Sequence, residues 1–220
     1  MRPRLSASLA SVGLAVSLAG CVSLKRTPEA RFFVLRPLAE APAATDTSAT
    51  AELIGLLPVV LPAYLDRPQL VSWVAPGELR IDEYLRWGEP LDAGLLRTLA
   101  ANLETRLPGS RVIRSPWPSK ARLRCRVRLE LQDFGPQASG EVLLEGRFAF
   151  LPADGERPLV VRPVALKRGP LAVSAAGVDP MAGVDAMSDL VADLAGEIAA
   201  SLGALSPETG APTPGTAAPR

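Results

Sequence analysis

Histidine is absent from all 220 residues of this chain. That removes Ser-His-Asp and Cys-His nucleophilic catalysis, together with every His-ligated metal site. Two cysteines are too few for a structural zinc site or a disulfide framework. An excess of one charge is also missing. With 24 basic and 23 acidic residues the formal net charge is +1, and the balance gives no reason to expect a nucleic-acid partner. Aromatic residues make up 5% of the chain, so a core must be built mainly from Leu, Val and Ala. The phosphate-cradling and nucleophile-elbow motifs GxGxxG, GxxxxGK(S/T) and GxSxG do not occur, nor does CxxC. Ser119 and Lys120 are adjacent rather than at helical spacing, and a strand would place Asp82 and Glu83 on opposite faces. The expectation is a protein that is not an enzyme and uses neither cofactor nor metal.

The composition is otherwise that of a globular protein, with 48% hydrophobic residues and a length suited to one domain, two at most. Arg2 and Arg4 precede fourteen apolar or small residues, Leu5 to Leu18. That run falls short of the roughly 20 residues a membrane-spanning helix requires and reads as a secretory leader. It ends in Leu18-Ala19-Gly20-Cys21, which resembles a bacterial lipoprotein signal cleaved before an acylated cysteine. Each buried methylene is worth about 0.8 kcal/mol, so two or more acyl chains on Cys21, palmitate among them, would anchor the chain stably. An ordinary secretory leader with a free Cys21 is the competing reading. Val22 stands where an aspartate would resemble an inner-membrane retention signal, which favours the outer membrane with the domain facing the periplasm. Loss of residues 1–20 leaves 22 basic against 23 acidic side chains.

Residues 21–30 form the lipidated tether in this reading, and residues 31–204 form the domain. A flexible insert is expected at about 37–51 and a disordered tail at 205–220, because neither segment has enough apolar surface to offset ordering entropy. Within the domain RFFVLR (31–36) is a short β-rich run. Glu52 to Leu61 reads as a central strand covered on both faces, interrupted at Pro58. Gln69 to Val74 and Glu78 to Asp82 pair across Ala75-Pro76-Gly77. A helix is expected from Glu89 as cap and Pro90 as first residue, with Leu91, Leu95, Leu96, Leu99 and Leu103 on one face. Ala121 to Phe134 alternates strictly, setting Leu123, Cys125, Val127, Leu129 and Leu131 against Arg122, Arg124, Arg126 and Arg128. Glu141 to Phe150 and an edge strand at Leu159 to Leu166 complete a meander. A second helix is capped by Asp179, begins at Pro180, and carries Met181, Val184, Met187, Val191, Leu194 and Ile198 as its stripe. These elements predict a single α/β domain: a mixed β-sheet with two main amphipathic helices packed on it.

Three features invite a functional reading. Between Arg111 and Arg128 lie seven basic residues and no acid. Arg122, Arg124, Arg126 and Arg128 make either a cationic stripe for lipid headgroups or a solvated face paired with Glu141 and Glu145, with a subunit contact as a third reading. Cys125, on the apolar face of its strand, reads as a small buried hydrophobe. The loop Tyr64, Leu65, Asp66, Arg67, Pro68 and Gln69, with Arg86-Trp87, has the aromatic and arginine content of a protein interface. Equally, Tyr64 and Trp87 would pack the loop onto the domain while Asp66 pairs with Arg67 or Arg86.

The order LPVVLPAYLDRPQLV (57–71), then RIDEYLRWGEPLDAGLLRTLAANL (80–103), resembles the ABC-type transport auxiliary lipoproteins of the PqiC/YmbA type. RFFVLRP (31–37) is similar to their aromatic strand beyond the anchor. The resemblance runs from the lipoprotein signal to about residue 203. It implies a compact α/β fold and an outer-membrane lipoprotein without enzymatic activity. The implied partners are an MCE-domain protein and, in many systems, an ABC permease and ATPase or another inner-membrane subunit, moving lipid and supporting envelope integrity. It also implies a possible homo-oligomeric ring. A periplasmic lipoprotein that carries lipid in its own apolar pocket is the alternative.

Overall fold

The computed structural model describes residues 28–38 and 52–205. Cys21, the leader, nearly all of the expected insert and all but the first residue of the expected tail lie outside these residues.

The core is a layer of two helices against a five-stranded sheet in the order β5-β2-β6-β7-β8. β2 (Glu52–Leu56) runs parallel to both neighbours, β5 (Ser110–Arg114) and β6 (Leu123–Pro136). β6, β7 (Val142–Leu151) and β8 (Val160–Arg168) form the antiparallel meander, with β8 at an edge as Pro163 requires. β2 is an interior strand that ends before Pro58, although Val60 still bridges to Glu130 further on. The expected mixed sheet and two helices are present, but the strands divide into more than one sheet. β1 (Arg31–Phe33), β3 (Gln69–Ala75) and β4 (Glu78–Trp87) make a second sheet in the order β1-β4-β3. β9 (Val173–Ser174) and β10 (Gly177–Val178) form a two-stranded ribbon. β3 and β4 turn through Pro76 and Gly77, whose φ of +78° favours glycine.

α1 (Leu91–Arg106) buries Leu91, Leu95, Leu99 and Leu103, with Leu96 only partly covered. Its start lies one residue later than expected. Pro90 is the cap position, and no side chain caps the helix. Glu89 turns to Arg97 instead, with 2.6 Å between Oε1 and Nη2. α2 (Pro180–Gly203) begins as read: the Asp179 carboxylate accepts from the Ala182 amide at 2.9 Å. Met181, assigned to its apolar stripe, is instead 49% exposed, while burial of the helix begins at Gly183 and Val184.

Two local irregularities move side chains across faces. The β2–β6 register shifts beside Leu53, so Leu123 lies over Gly55 with Trp117, on the side opposite Ile54 and Leu56. Leu123 therefore does not share the core face of Cys125 and Val127. A second shift between Leu131 and Asp133 lets Leu131 and Phe134 both face the core three residues apart. Opposite it, a Cβ on Gly146 would run into the Glu130 carbonyl oxygen.

The chain beyond β1 is strapped across the helices. Leu35 is buried, and its carbonyl accepts from Arg97 Nη2 at 2.8 Å and from Thr98 Oγ1 at 3.4 Å. The Arg36 amide donates to Ser188 Oγ at 3.1 Å, and the Leu38 amide to Asn102 Oδ1 at 2.7 Å. Thr98, Asn102 and Ser188 are the buried polar side chains among the described residues, and each serves this strap. Buried main-chain groups need partners, and here the helices supply them in place of a neighbouring strand.

Candidate docking site

The loop before β3 is a compact turn. The Leu65 amide donates to the Pro62 carbonyl and the Arg67 amide to the Leu65 carbonyl, both at 2.9 Å. Leu65 is 4% exposed and anchors the loop in the core. The Trp87 amide donates to the Pro68 carbonyl at 2.8 Å, which sets the Arg86-Trp87 segment beside the loop. Gln69 stands opposite Arg86 in the β3–β4 register, and Glu83 accepts from both side chains at 3.2 and 3.5 Å. All eight residues singled out from the sequence therefore belong to one surface region.

They divide by burial. Tyr64, Leu65 and Trp87 hold the loop to the domain; Trp87, which reads as an exposed aromatic, is 7% exposed. Its indole lies on the core side because β4 extends to residue 87 and pairs with β1 there. Asp66 and Pro68 are exposed, and Arg67, Gln69 and Arg86 are partly so. Asp66 pairs with neither Arg67 nor Arg86 among the described residues, since Arg86 is drawn to Glu83. Arg67 Nε is buried without an acceptor among those residues.

A residue not singled out above fixes this region. Asp133 Oδ1 accepts from the Tyr64 hydroxyl at 2.8 Å and from Trp73 Nε1 at 3.1 Å, while Oδ2 accepts from Gln137 Nε2 at 3.0 Å. The Tyr64 and Trp73 rings meet edge to face with centroids 5.7 Å apart. Burial first, and then the Asp133 carboxylate, pushes the Tyr64 hydroxyl well above its ordinary pKa. The signal in the sequence was the break in β6 alternation at Gln132-Asp133, where the strand bulges.

The arginine face of β6 is only partly neutralised within the domain, because its four arginines meet two carboxylates, and these are not the acids expected. Arg124 reaches Glu52 at 2.6 Å, and Arg126 and Arg128 share Glu156 at 3.5 and 3.2 Å. Arg126 also donates to the Pro152 carbonyl at 3.0 Å. Arg122 is exposed and makes no ion pair among the described residues. Register is the reason Glu141 and Glu145 play no part: Arg128 lies opposite Ala149, while Glu145 lies opposite Asp133. Glu141 is further along still and pairs with Lys167 at 2.9 Å, which raises the lysine's pKa. Cys125 is buried as read, and desolvation pushes its thiol up to about 11.

Two clefts occur among these elements. One of about 60 Å³ lies where β3 and β4 meet the start of α2, lined by Leu70, Leu85, Trp87, Val184 and Met187 with Arg80 at its rim. The other, about 190 Å³, lies on the outer sheet face between Arg128, Arg147 and Val161. Sites for small organic ligands span about 300–1,000 Å³, so neither accommodates a lipid acyl chain as it stands. Among the described residues no three Cys, Asp or Glu side chains converge as a metal site, and no helix is long and apolar enough to cross a membrane.

The family described as ABC-type transport auxiliary lipoprotein component matches residues 33–199. The chain is similar to the intermembrane transport lipoprotein PqiC of Escherichia coli (strain K12) and of Shigella flexneri. Each is 27% identical over 188 residues, covering 86% of this chain and 91% of the relative. In fold it is similar to a crystal structure of an uncharacterized protein, with TM-score 0.62, 23% identity, and coverage of 80% of this chain and 99% of that one. It is also similar to protein XCC0632 from Xanthomonas campestris, with TM-score 0.57, 14% identity, and coverage of 79% and 99%.

Proposed function

This chain belongs to the ABC-type transport auxiliary lipoprotein family, and from that premise we propose that it is a non-enzymatic, outer-membrane-anchored subunit of an MCE/ABC-type intermembrane lipid transport system. Acylated Cys21 holds the protein in the membrane, and the domain faces the periplasm. Its contribution is mechanical: it presents a rigid docking surface to an MCE-domain protein and, through it, to the permease and ATPase or another inner-membrane subunit. The lipid itself travels in the partner's conduit.

One observation carries this reading. The stretch Tyr64–Gln69 with Arg86-Trp87 is locked from below by Leu65, Trp87 and the Tyr64–Asp133 bond, yet presents Asp66 and Pro68 outward with Arg86 partly exposed beside them. A rigid ridge that offers charged groups and a proline suits recognition of another protein, because little side-chain or loop entropy is lost on binding. The small clefts argue against the alternative, a carrier holding lipid in its own pocket.

The test is site-specific photocrosslinking in intact envelopes, with the reactive side chain at Asp66 or Pro68 and at Val173 on the β9–β10 ribbon as control. An MCE-domain protein should be captured from the loop positions and not from the control. Capture from neither position, with the protein correctly acylated, would remove the docking assignment. Stoichiometric lipid retained by the detergent-free domain in native mass spectrometry would favour the carrier instead.

A further inference from the structure

We propose that Arg67 is the residue by which the docking loop recognises its partner, and that the partner protein meets it with a carboxylate. The inference rests on the loop being a docking surface and names the chemistry read there. Arg67 Nε is enclosed and has no acceptor among the described residues. Nη1 and Nη2 make no hydrogen bond or ion pair among those residues either, but they are not enclosed. A folded domain leaves few buried donors unpaired, and a cation with all its donors idle is costly to keep at the edge of a core.

Packing around Nε holds the stem of the side chain, so the freedom that binding would remove is already lost. The tip is the part a partner can reach, and its parallel N–H donors match the two oxygens of a carboxylate. Neighbouring charges select the kind of acid. Arg86 is occupied by Glu83 at 3.5 Å, and Gln69 donates to the same carboxylate at 3.2 Å. Asp66, next to Arg67 in the chain, is exposed and pairs with no basic group among the described residues. Two arginines thus stand against two acids, and the balanced patch exerts little long-range pull on an anionic bilayer or a polyanion. A protein surface that sets an acid beside a base meets Arg67 and Asp66 together, and the order of the two charges fixes its register. A second copy of this chain is the competing occupant, and the test separates the two.

The experiment is photocrosslinking from position 68 in isolated envelopes that hold the full-length acylated protein, with Arg67 intact or changed. Arg67→Gln should cut the yield of crosslinked partner at least about tenfold, and Arg67→Lys, which keeps the charge without the fork, by less. Raising salt from about 50 to about 500 mM should lower capture by the unchanged chain and leave the residual capture by Arg67→Gln as it is. Mass spectrometry of the crosslink locates the partner peptide. Changing its acid to lysine should restore capture to an Arg67→Glu chain, a rescue that a merely structural role would not give. Undiminished capture by a folded Arg67→Gln chain would overturn the inference and leave the docking loop standing. Should the thermal midpoint of Arg67→Gln collapse along with its yield, the unchanged chain decides, because salt-insensitive capture overturns the inference. Crosslinks between two copies of the chain would overturn it in favour of self-association. With no crosslink from the unchanged chain at either salt concentration, the docking reading fails first and this inference with it.

Discussion

Replacing Asp133 should loosen the docking loop without touching any exposed residue of it. The carboxylate accepts from Tyr64, Trp73 and Gln137, which join the loop, β3 and the end of β6. Hydrogen bonds to a charged acceptor are worth about 1.5–3 kcal/mol when buried. This site is partly open to water, which can satisfy some of the orphaned donors, so about 1 kcal/mol per bond is the better figure. Asp133→Ala should therefore cost about 3 kcal/mol. Asp133→Asn keeps an acceptor at Oδ1 and lets the Gln137 amide turn, so about 1 kcal/mol is expected. Urea unfolding followed by tryptophan fluorescence measures both, and the midpoint should move while the slope stays unchanged. In a double-mutant cycle, Tyr64→Phe and Asp133→Ala should be non-additive by at least about 0.5 kcal/mol. The sign of the pH dependence follows from the raised tyrosine value. The native-state pKa of Tyr64 lies above its unfolded one, so its contribution is whole below about pH 10 and is lost as pH rises beyond that. Tyr64→Phe should flatten that alkaline loss. A cost below about 0.5 kcal/mol for Asp133→Ala, or strict additivity with Tyr64→Phe, would refute the account of the loop.

The strap makes a second prediction. Asn102→Ala strands the Leu38 amide and opens a cavity, and should cost about 2–4 kcal/mol. Asn102→Leu leaves the same amide without its acceptor but fills the space and removes an amide nitrogen with no acceptor among the described residues, so it should cost less than the alanine change. Thermal melts compare the two, and equal losses would show that the hydrogen bond, which both variants lack, rather than the filled space matters there. Cys125, with its thiol near 11, should hold about a hundredfold less thiolate at pH 8 than an ordinary exposed cysteine. Alkylation of the native protein should be correspondingly slow and become fast in urea; rapid native labelling at that site would contradict its burial. The buried thiol also adds stability that is whole below about pH 9 and drains away as pH climbs towards 11.

Most elements are legible in the sequence, because period and punctuation are local. The run of leucines at helical spacing marked α1, and Asp179-Pro180 marked the start of α2. Strict alternation marked β6, and Pro163 marked β8 as an edge. What failed was non-local. Leu123 read as core because alternation was carried through a register shift that no local pattern announces. Glu141 and Glu145 read as arginine partners because strand adjacency was inferred correctly, but its register was not. The residues Tyr64–Gln69 and Arg86-Trp87 lie together in the structure, while the burial of Trp87 and the role of Asp133 depend on contacts that their local sequence does not display.

The amino-acid order by itself determined the element types, the lack of histidine-based chemistry and the resemblance to a lipoprotein family, since each depends on residues close along the chain or on composition. Which acid meets which arginine, which aromatic is buried, and why three polar side chains lie in the core were decided only by the tertiary structure. Those outcomes depend on strand register and on a segment laid across two helices, and both bring together residues separated by tens of positions that no local preference can specify.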